Sequence, residues 1–325
     1  MNVVVTGAAG FIGSGLISFF NAKYPDMDIY AVDDFSSEEK NRNLTGKVIK
    51  DFINRDDFLI NAGIYLKNID FIIHLGARTD TMETDKEIFK RLNLDYSKSL
   101  WNYAVDQSIP LIYASSAATY GAGENGYNDD HDIISLLKPL NPYAESKNEF
   151  DKWVLGQENK PPQWTGLKFF NVYGPNEYHK GKMASVVYHA FHQIQNTGKV
   201  KLFRSHKKEF KDGEQMRDFI YVKDIFEVID FLMINTKKIK SGIYNLGTAK
   251  ARSFNDLAMS VFYAMGKKPV IQYIDTPLDI RAKYQYFTEA RMDKLRKQGY
   301  LKSFYTLEKG VIEYVQNYLI PGKYL

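Results

Sequence analysis

Cysteine is absent from this sequence of 325 residues. The absence excludes disulfide bonds, thiolate metal ligands and a cysteine nucleophile. Long apolar runs are also absent, since none approaches the ~18 consecutive residues that a membrane span needs. The N-terminus carries neither a basic segment nor a small-residue cleavage site, so we expect no signal peptide. These absences predict a cytoplasmic protein without membrane insertion.

Charge of one sign is only in small excess, because 43 Lys and Arg residues stand against 39 Asp and Glu residues, a net charge of +4. This balance does not favour nucleic acid as a partner. The six histidines show no metal-ligand spacing, and we expect no metal site. The positive charge is concentrated in residues 199–217, which contain seven Lys and Arg against three Asp and Glu. That segment is either a solvated loop or a cradle for an anionic ligand.

Short apolar segments alternate with amphipathic segments over residues 1–170. Strands are predicted at residues 2–6, 29–33, 71–74, 111–115 and 167–170, and helices are predicted to begin near Phe11, Asp56, Lys86 and Tyr143. This alternation predicts an α/β fold with a doubly wound parallel sheet of the Rossmann type.

The pattern becomes less regular after residue 170. Helices are predicted from Met183, Asp224 and Ser253, and a strand is predicted at residues 243–246. We therefore predict a dinucleotide-binding domain over residues 1–170, to which some later segments return. A smaller C-terminal α/β domain over residues 171–325 would mainly bind the substrate, with the site between the two.

Three glycines follow the first predicted strand and open the first helix. Gly7 permits a tight turn, Gly10 lets the backbone approach a diphosphate, and Gly13 lets the helix pack closely on the strand. The acidic residues Asp33 and Asp34 end the second strand, as the dinucleotide-binding fingerprint requires. The sequence therefore predicts a dinucleotide cofactor.

The choice between NAD and NADP stays open at this point. Asp33 would accept a hydrogen bond from the ribose 2′-hydroxyl of NAD, whereas a 2′-phosphate would need cations. Lys40 and Arg55 could supply those cations, or they could be ordinary surface charges.

A predicted strand ends in hydroxyl groups at Ser115 and Ser116, and Tyr143 and Lys147 follow on a predicted helix. Positions four apart share one face of a helix. An ammonium beside a phenol favours the phenolate, so we expect Lys147 to lower the pKa of Tyr143. Tyr143 would then serve as a base near neutral pH. Three other Tyr-x-x-x-Lys spacings in the chain lack this context.

Ser116, Tyr143 and Lys147, after the Thr-Gly-x-x-Gly-x-x-Gly start, resemble the extended short-chain dehydrogenase/reductase superfamily, which modifies nucleotide sugars. The resemblance implies that Tyr143 is the acid/base, that Lys147 holds the nicotinamide ribose, and that Ser116 orients the substrate hydroxyl. Residues 117–120 lack the Asp-Glu pair of the 4,6-dehydratases. That difference argues against elimination and leaves epimerisation, reduction or oxidation.

Longer motifs resemble the ADP-L-glycero-D-manno-heptose 6-epimerase family. They lie at residues 114–121, 170–185, 201–203, 217–222, 244–248 and 284–288. The His-Lys-Gly-x-Met-Ala-Ser segment at residues 179–185 is the most specific of them. The resemblance implies that the protein interconverts the C6″ epimers of an ADP-heptose, a precursor of the lipopolysaccharide inner core. A tightly held NADP would oxidise C6″ to a ketone and reduce it on the other face.

Epimerisation requires the carbonyl to present both of its faces to one fixed hydride donor. The hydroxyl group then points in two directions, so that one acid/base group does not reach both poses. The resemblance implies that Lys180 is the second proton-transfer group beside Tyr143. A lysine can take this role if burial or a nearby cation lowers its pKa. Alternatively, Lys180 is a phosphate or surface contact.

The resemblance also implies further binding positions. Cofactor contacts are implied at Phe11, Ile12, Asp33, Asp34, Lys40, Arg55, Leu75, Gly76, Ala77, Arg78, Thr79, Asn93 and Val172. Substrate contacts are implied at Ser116, Asn171, Lys182, His189, Phe203, Arg204, Ser205, His206, Arg217 and Tyr284. The planar guanidinium of Arg217 suits a diphosphate. His189 is equally well interpreted as a structural histidine.

Some positions depart from the better-known members of that family. Lys182 replaces a serine, and Arg78 and Thr79 replace Cys-Ser, although backbone contacts would survive. Residues 203–219 are longer and more basic, and would either close over the ADP or be disordered. The resemblance implies a homo-oligomer, with a pentamer as one option.

Two other functions remain open. A UDP-sugar 4-epimerase would share Ser116, Tyr143 and Lys147 but would not need Lys180. A non-catalytic nucleotide-binding regulator on the same scaffold would not need to keep the tyrosine and lysine pair.

Overall fold

The computed structural model of this protein describes residues 1–281 and 284–325. Its strands are β1 Asn2–Thr6, β2 Asp28–Asp33, β3 Asp51–Asn54, β4 Phe71–His74, β5 Leu111–Ser116, β6 Trp164–Phe169, β7 Asn171–Tyr173, β8 Val200–Phe203, β9 Met216–Tyr221, β10 Gly242–Leu246, β11 Ala251–Ser253 and β12 Ile271–Ile274.

The helices cover the faces of the sheets. They are α1 Phe11–Lys23, α2 Glu38–Asn41, α3 Arg55–Ile60, α4 Ala62–Tyr65, α5 Lys86–Phe89, α6 Tyr96–Asp106, α7 Pro142–Leu155, α8 Val186–Thr197, α9 Val222–Ile234, α10 Phe254–Ala264, α11 Leu278–Arg281, α12 Asp293–Lys297 and α13 Leu307–Tyr314. Short 3₁₀ segments lie at Arg42–Leu44, Ala117–Tyr120, His131–Leu136 and Tyr178–Met183, and π-helical turns lie at Lys90–Asp95 and Val315–Leu319. None of the helices in the described residues is both long and apolar enough to cross a membrane.

The main sheet of the described residues has seven strands in the order β10-β6-β5-β4-β1-β2-β3, and every neighbouring pair is parallel. The strand order reverses at β1, which lies between β4 and β2. In open parallel sheets, ligands bind beyond the carboxyl ends of the strands at such a reversal. This arrangement confirms the predicted doubly wound parallel sheet.

The predicted elements agree with the structure where the apolar pattern was strong. The strands predicted at residues 2–6 and 71–74 have the predicted bounds, whereas β6 begins at Trp164, before the predicted start. The edge strand β3 was missed because Ile53 is its one buried residue and Phe52 is exposed, which leaves no apolar run. The helix predicted from Met183 was placed too early, because Ser185 caps the first turn of α8.

The later part of the chain contributes to more than one layer. Strand β10 pairs with β6 in the main sheet, and α9 packs against α1, so segments after residue 170 pack with elements of the first half. The remaining strands form two small sheets, β11-β9-β7 and β12-β8. The predicted boundary at residue 170 stays a prediction.

Candidate active site

Two adjoining hollows lie along the carboxyl ends of the main sheet. The hollow on the glycine side has a volume of about 640 Å³, and the hollow on the tyrosine side has a volume of about 430 Å³. We call them the glycine hollow and the tyrosine hollow. Among the predicted residues, the glycine hollow is lined by Gly7, Gly10, Gly13, Asp33, Asp34, Lys40, Arg55, Gly76 and Arg78. The tyrosine hollow is lined by Ser116, Tyr143, Lys147, Asn171 and Val172. Both are lined by Phe11, Ile12, Leu75, Ala77, Thr79 and Lys180.

The glycine hollow is shaped by backbone that leaves no room for side chains. Gly7 has φ +68°, and a Cβ atom there would lie 2.7 Å from the backbone nitrogen of Gly76. A Cβ atom at Gly13 would lie 2.2 Å from the carbonyl oxygen of Gly7. Gly10 precedes α1, and no side chain of the described residues caps this helix. The unpaired N–H groups of the first turn and the helix dipole therefore favour an anion here, as the diphosphate of a dinucleotide requires.

The acidic pair at the end of β2 is matched by two cations. The Asp33 carboxylate accepts hydrogen bonds from the Ala9 N–H at 2.9 Å and from the Lys40 ammonium at 2.5 Å. The Arg55 guanidinium lies 3.6 Å from the Asp34 carboxylate. Each carboxylate at the end of β2 is therefore paired with one cation, Asp33 with Lys40 and Asp34 with Arg55. A carboxylate can bind a ribose hydroxyl, and a cation can bind a phosphate.

The loop after β4 is held from behind by Asn93, which is 1% exposed in the π-helical turn. Its side-chain oxygen accepts from the Arg78 N–H at 2.8 Å, and its nitrogen donates to the Arg78 carbonyl at 3.0 Å and to the Ser146 hydroxyl at 2.9 Å. Asn93 therefore fixes the backbone of the loop and ties it to α7, rather than lining either hollow.

A buried histidine that the sequence analysis missed joins the same region. The Nδ1 atom of His74 lies 2.6 Å from the Thr6 hydroxyl, and its Nε2 atom lies 2.9 Å from the Ser97 hydroxyl. The Thr6 hydroxyl also accepts from the Gly76 N–H at 3.1 Å. Burial lowers the pKa of His74 to about 3, with Lys147 acting in the same direction, so the ring is neutral. This network connects the turn after β1 to the turn after β4.

Tyr143 lies in the first turn of α7, where Asn141 caps the helix by accepting from the Ala144 N–H at 2.8 Å. Removal of the phenol from water raises the pKa of Tyr143, and its contact with the Ser116 hydroxyl acts in the opposite direction. The prediction that the pKa of Tyr143 is lowered was therefore wrong for the protein by itself. Desolvation of the phenol outweighs its hydrogen bond with Ser116, because burial disfavours the ionised form.

Lys147 is 4% exposed and donates a hydrogen bond to the Ala114 carbonyl at 2.8 Å. Burial lowers the pKa of Lys147 to about 8, and Asp151, one helical turn further on, opposes this shift. The amine is thus held beside β5 by the backbone, on the face of α7 that carries Tyr143.

Lys180 approaches from a different part of the chain. It lies in the 3₁₀ segment Tyr178–Met183, and its ammonium lies 5.3 Å from the centre of the Phe11 ring. Removal from water lowers the pKa of Lys180, and Glu177 opposes this shift. A lowered pKa is the property that a proton-transfer lysine needs.

An ion pair joins Lys168 of β6 to Asp151, which lies four residues after Lys147 in α7. Both side chains are fully buried, and the charged atoms are 2.6 Å apart. Lys168 also donates to the Thr119 hydroxyl at 2.7 Å, and that hydroxyl donates to the Ser116 carbonyl at 2.7 Å. The pair was missed, although a lysine in a buried strand and an acid four residues after Lys147 are signals that could have revealed it.

Arg217 is 7% exposed and has no carboxylate partner among the side chains that the structure describes, which do not include that of Asp279. Its guanidinium donates to the Met216 carbonyl at 2.9 Å and to the Gln285 carbonyl, and lies 5.4 Å from the Tyr284 ring. Burial lowers the pKa of Arg217. A desolvated cation without a counter-ion is suited to an anionic ligand, because burying an unpaired charge is unfavourable.

The basic segment, residues 199–217, packs against the segment that carries Tyr284. The Tyr286 hydroxyl lies 2.9 Å from the His206 Nδ1 atom and accepts from the His206 N–H at 2.8 Å. Ser205 is held by Asp212, whose carboxylate accepts from its N–H at 2.9 Å. Six predicted substrate residues come together here, and we call them the arginine cluster: Phe203, Arg204, Ser205, His206, Arg217 and Tyr284.

Of the ten predicted substrate residues, only Ser116 and Asn171 line a hollow, and two others stand apart from the arginine cluster as well. Lys182 is exposed, and His189 lies in α8 with its ring against Tyr188 at 5.8 Å. Conversely, His179 lines the glycine hollow and was not predicted, although it directly precedes Lys180. Burial lowers the pKa of His179 to about 4, and Lys40 and Lys180 add to this shift.

Comparisons with known proteins agree with this geometry. The model of the NAD dependent epimerase/dehydratase family matches residues 3–247. An ADP-L-glycero-D-manno-heptose-6-epimerase from Fusobacterium nucleatum is 48% identical over 329 residues, which cover 98% of each chain.

Two solved structures extend the comparison. The Helicobacter pylori ADP-L-glycero-D-manno-heptose-6-epimerase is 29% identical, with a TM-score of 0.80 over 97% of this chain and 95% of that one. The UDP-N-acetylglucosamine 4-epimerase from Methanobrevibacter ruminantium is 25% identical, with a TM-score of 0.82 over 99% of each chain.

The chain belongs to the NAD dependent epimerase/dehydratase family. Within this family, its full-length similarity to ADP-L-glycero-D-manno-heptose-6-epimerases confirms the resemblance that the motifs indicated. It also makes the protein an isomerase rather than a non-catalytic regulator.

Proposed function

We propose that the protein converts ADP-D-glycero-β-D-manno-heptose to ADP-L-glycero-β-D-manno-heptose at C6″, a step towards the lipopolysaccharide inner core. The observation that carries this proposal is the position of Tyr143 and Lys180. They line the same hollow, yet they come from α7 and from the Tyr178–Met183 segment. Two proton-transfer groups on separate elements suit a substrate that must be handled in two poses.

The cofactor would occupy the glycine hollow and extend into the tyrosine hollow. The fit is supported by the backbone turn at Gly7 and Gly13, which no side chain fills. The bound cofactor would supply reversible hydride transfer at C6″. Lys147 would hold the nicotinamide ribose, because its amine is fixed at the Ala114 carbonyl beside the tyrosine hollow.

The protein's own groups would move the protons. Tyr143, in its phenolate form, would accept the proton of the C6″ hydroxyl in one pose, with Ser116 orienting that hydroxyl. Lys180 would give a proton to the carbonyl oxygen in the other pose, and the roles reverse for the other epimer. Its lowered pKa supports this role, because exchange is easiest when the pKa lies near the working pH.

The ADP group would bind near the arginine cluster. Arg217 supports this assignment, because its buried guanidinium donates to backbone carbonyls, and Gln285, which it contacts, lines the tyrosine hollow. A planar guanidinium can donate two parallel hydrogen bonds to a diphosphate.

NADP is the cofactor that we propose in preference to NAD. Lys40 and Arg55 support this choice, because both cations line the glycine hollow at the end of β2 and could turn from Asp33 and Asp34 to a 2′-phosphate. The homo-oligomer and the cytoplasmic location stay predictions.

Incubation of the purified protein with ADP-D-glycero-β-D-manno-heptose, followed by NMR of C6″, tests the function. We expect the L-glycero epimer to accumulate to an equilibrium mixture without net change in the nicotinamide absorbance. A parallel incubation with UDP-glucose and UDP-N-acetylglucosamine tests the rival 4-epimerase. Turnover of those sugars with no change at C6″ of the heptose would refute the proposal.

A further inference from the structure

The segment that carries Lys180 is closed by a buried carboxylate. Glu177 is 0% exposed, and its carboxylate accepts hydrogen bonds from the Gly174 N–H at 3.3 Å, the Ser185 N–H at 2.5 Å and the Ser185 hydroxyl at 2.7 Å. Gly174 precedes the segment and Ser185 follows it. One side chain therefore joins both ends of the loop that presents Lys180.

Glu177 also fixes the start of that loop and the helix after it. Its carbonyl oxygen accepts from the Lys180 N–H at 3.0 Å. Ser185, held by the carboxylate, caps α8 by accepting from the Tyr188 N–H at 3.3 Å. The turn between them reverses at Gly181, which has φ 52°. The backbone on either side of Lys180 is thus anchored, while its side chain extends to the Phe11 ring.

Burial raises the pKa of Glu177, whereas its hydrogen-bond donors and Lys180 oppose this shift and favour the ionised carboxylate. Its three hydrogen-bond partners are donors, and a protonated carboxyl group would need an acceptor. The titratable groups that Glu177 influences are Lys180, Tyr178, Tyr188 and Tyr314. The pKa values of the three tyrosines are raised, so they are neutral at ordinary pH. Lys180 is the one cation in that set.

We propose that Glu177 is a positioning residue, which closes the loop of Lys180 and holds its amine at the boundary of the two hollows. The carboxylate acts through two effects that oppose each other on the amine. Closing the loop keeps the amine away from water, whereas the negative charge stabilises the ammonium. The relevance of this residue to turnover rests on the proposed function, in which Lys180 transfers a proton.

Two variants separate these effects because they should move the pKa of Lys180 in opposite directions. Glu177→Gln keeps the volume, and its amide can still accept from the Ser185 N–H and donate to the Ser185 oxygen, but the charge and the weak 3.3 Å bond from the Gly174 N–H are lost. We expect the pKa of Lys180 to fall by roughly one unit, as is usual when a nearby opposite charge is removed. Ser185→Ala keeps the charge but loosens the end of the loop. We expect the pKa of Lys180 to rise towards its ordinary value.

The measurement is competitive acetylation of Lys180 across pH 6–11, quantified by mass spectrometry on the full-length protein without substrate. The matched control is Glu227→Gln, which removes a carboxylate that pairs with Lys302 away from the loop. This control should leave the Lys180 titration unchanged. If Glu177→Gln does not fold, Ser185→Ala still decides the positioning role, because an unchanged pKa in that variant overturns it.

The directions of the two shifts in the pKa of Lys180 decide whether the inference holds. A lower pKa of Lys180 in Glu177→Gln together with a higher one in Ser185→Ala supports the inference. Shifts in the same direction, or no shift in either variant, overturn it even when the protein epimerises its substrate. The expected pair of shifts in a protein that does not change C6″ would support the inference and refute the proposed function.

Discussion

The glycine hollow and the arginine cluster both suit phosphate groups, but the chain builds them differently. In the glycine hollow, the surface is backbone from the turns after neighbouring parallel strands, and a Cβ atom at Gly7 or Gly13 would collide with it. In the arginine cluster, the cation is a side chain held by the Met216 and Gln285 carbonyls and by aromatic rings. One site offers N–H groups, and the other offers a guanidinium.

This difference implies different sensitivities to substitution. A surface made of backbone depends on the absence of side chains, so that a single added methyl group damages it. A site made of side chains depends on particular charged atoms, and its scaffold tolerates their removal. Tyr143 and Lys180 line the tyrosine hollow, which adjoins the glycine hollow and is also lined by Gln285, a contact of Arg217.

Removal of Tyr143 or Lys180, the two groups that we propose transfer protons, should have the largest effect. Tyr143→Phe and Lys180→Met should each slow epimerisation by about 10²- to 10⁴-fold, the usual contribution of a general acid or base. NMR of C6″ measures the rate, and binding of NADPH, followed by fluorescence, checks that the glycine hollow remains intact. Full activity in Lys180→Met would contradict the two-group mechanism and would favour a single acid/base.

Gly13→Ala should distort the glycine hollow. The added Cβ atom would lie 2.2 Å from the Gly7 carbonyl oxygen, so α1 or the turn must shift. We expect a loss of about 1–3 kcal/mol in the free energy of unfolding and a loss of bound nicotinamide cofactor. Chemical denaturation and the cofactor content of the purified protein measure the two effects.

Gly63→Ala is the matched control for that prediction. A Cβ atom at Gly63 in α4 has no neighbour within 4 Å among the described residues. Alanine favours a helix over glycine by about 1 kcal/mol, so this variant should be as stable as the parent or more so. Equal cofactor content in both variants would show that the close approach at Gly13 does not govern the site.

The two regions also differ in how far the sequence could predict them. The glycine turn, the acidic pair at Asp33 and the Tyr143–Lys147 spacing are local patterns whose geometry follows from one strand, one turn or one helix. The main sheet followed from the same local alternation of strand and helix. The missed strand β3 lacks that pattern, because it lies at the sheet edge with one buried residue.

Local sequence patterns did not predict the contacts between distant segments. Lys168 meets Asp151, His74 meets Thr6 and Ser97, and Arg217 meets Tyr284, and each pair is brought together by the whole fold. The pKa of Tyr143 was misjudged for the same reason, because the extent of its desolvation depends on elements far away in the sequence. The predictions of the individual residues in the arginine cluster came from family motifs rather than from any spacing.

Arg217→Met tests the side-chain-built site. A hydrogen bond to a charged group contributes about 1.5–3 kcal/mol, and each 1.4 kcal/mol or so is a factor of ten in affinity. The affinity for ADP, measured by calorimetry, should therefore fall by about ten- to a hundredfold, while NADPH binding stays unchanged.

Arg252→Met is the matched control for Arg217→Met. Arg252 lies opposite Arg217 in the β9–β11 pair, but its guanidinium contacts the carboxylates of Asp256 and Glu308. Its removal should leave ADP binding unchanged. Equal losses in the two variants would mean that ADP responds to general damage of the small sheet and not to the guanidinium of Arg217.

Lys182→Ser should have the smallest effect, and it sharpens the contrast with its neighbour Lys180. Lys182 is exposed and lines neither hollow, whereas Lys180 lines both. Substitutions at exposed positions usually change the free energy by less than about 0.5 kcal/mol, so the epimerisation rate should stay within about twofold of the parent. A tenfold loss would show that the Tyr178–Met183 segment turns Lys182 towards the substrate during turnover, and a serine there would then remove a charged contact rather than a solvated side chain.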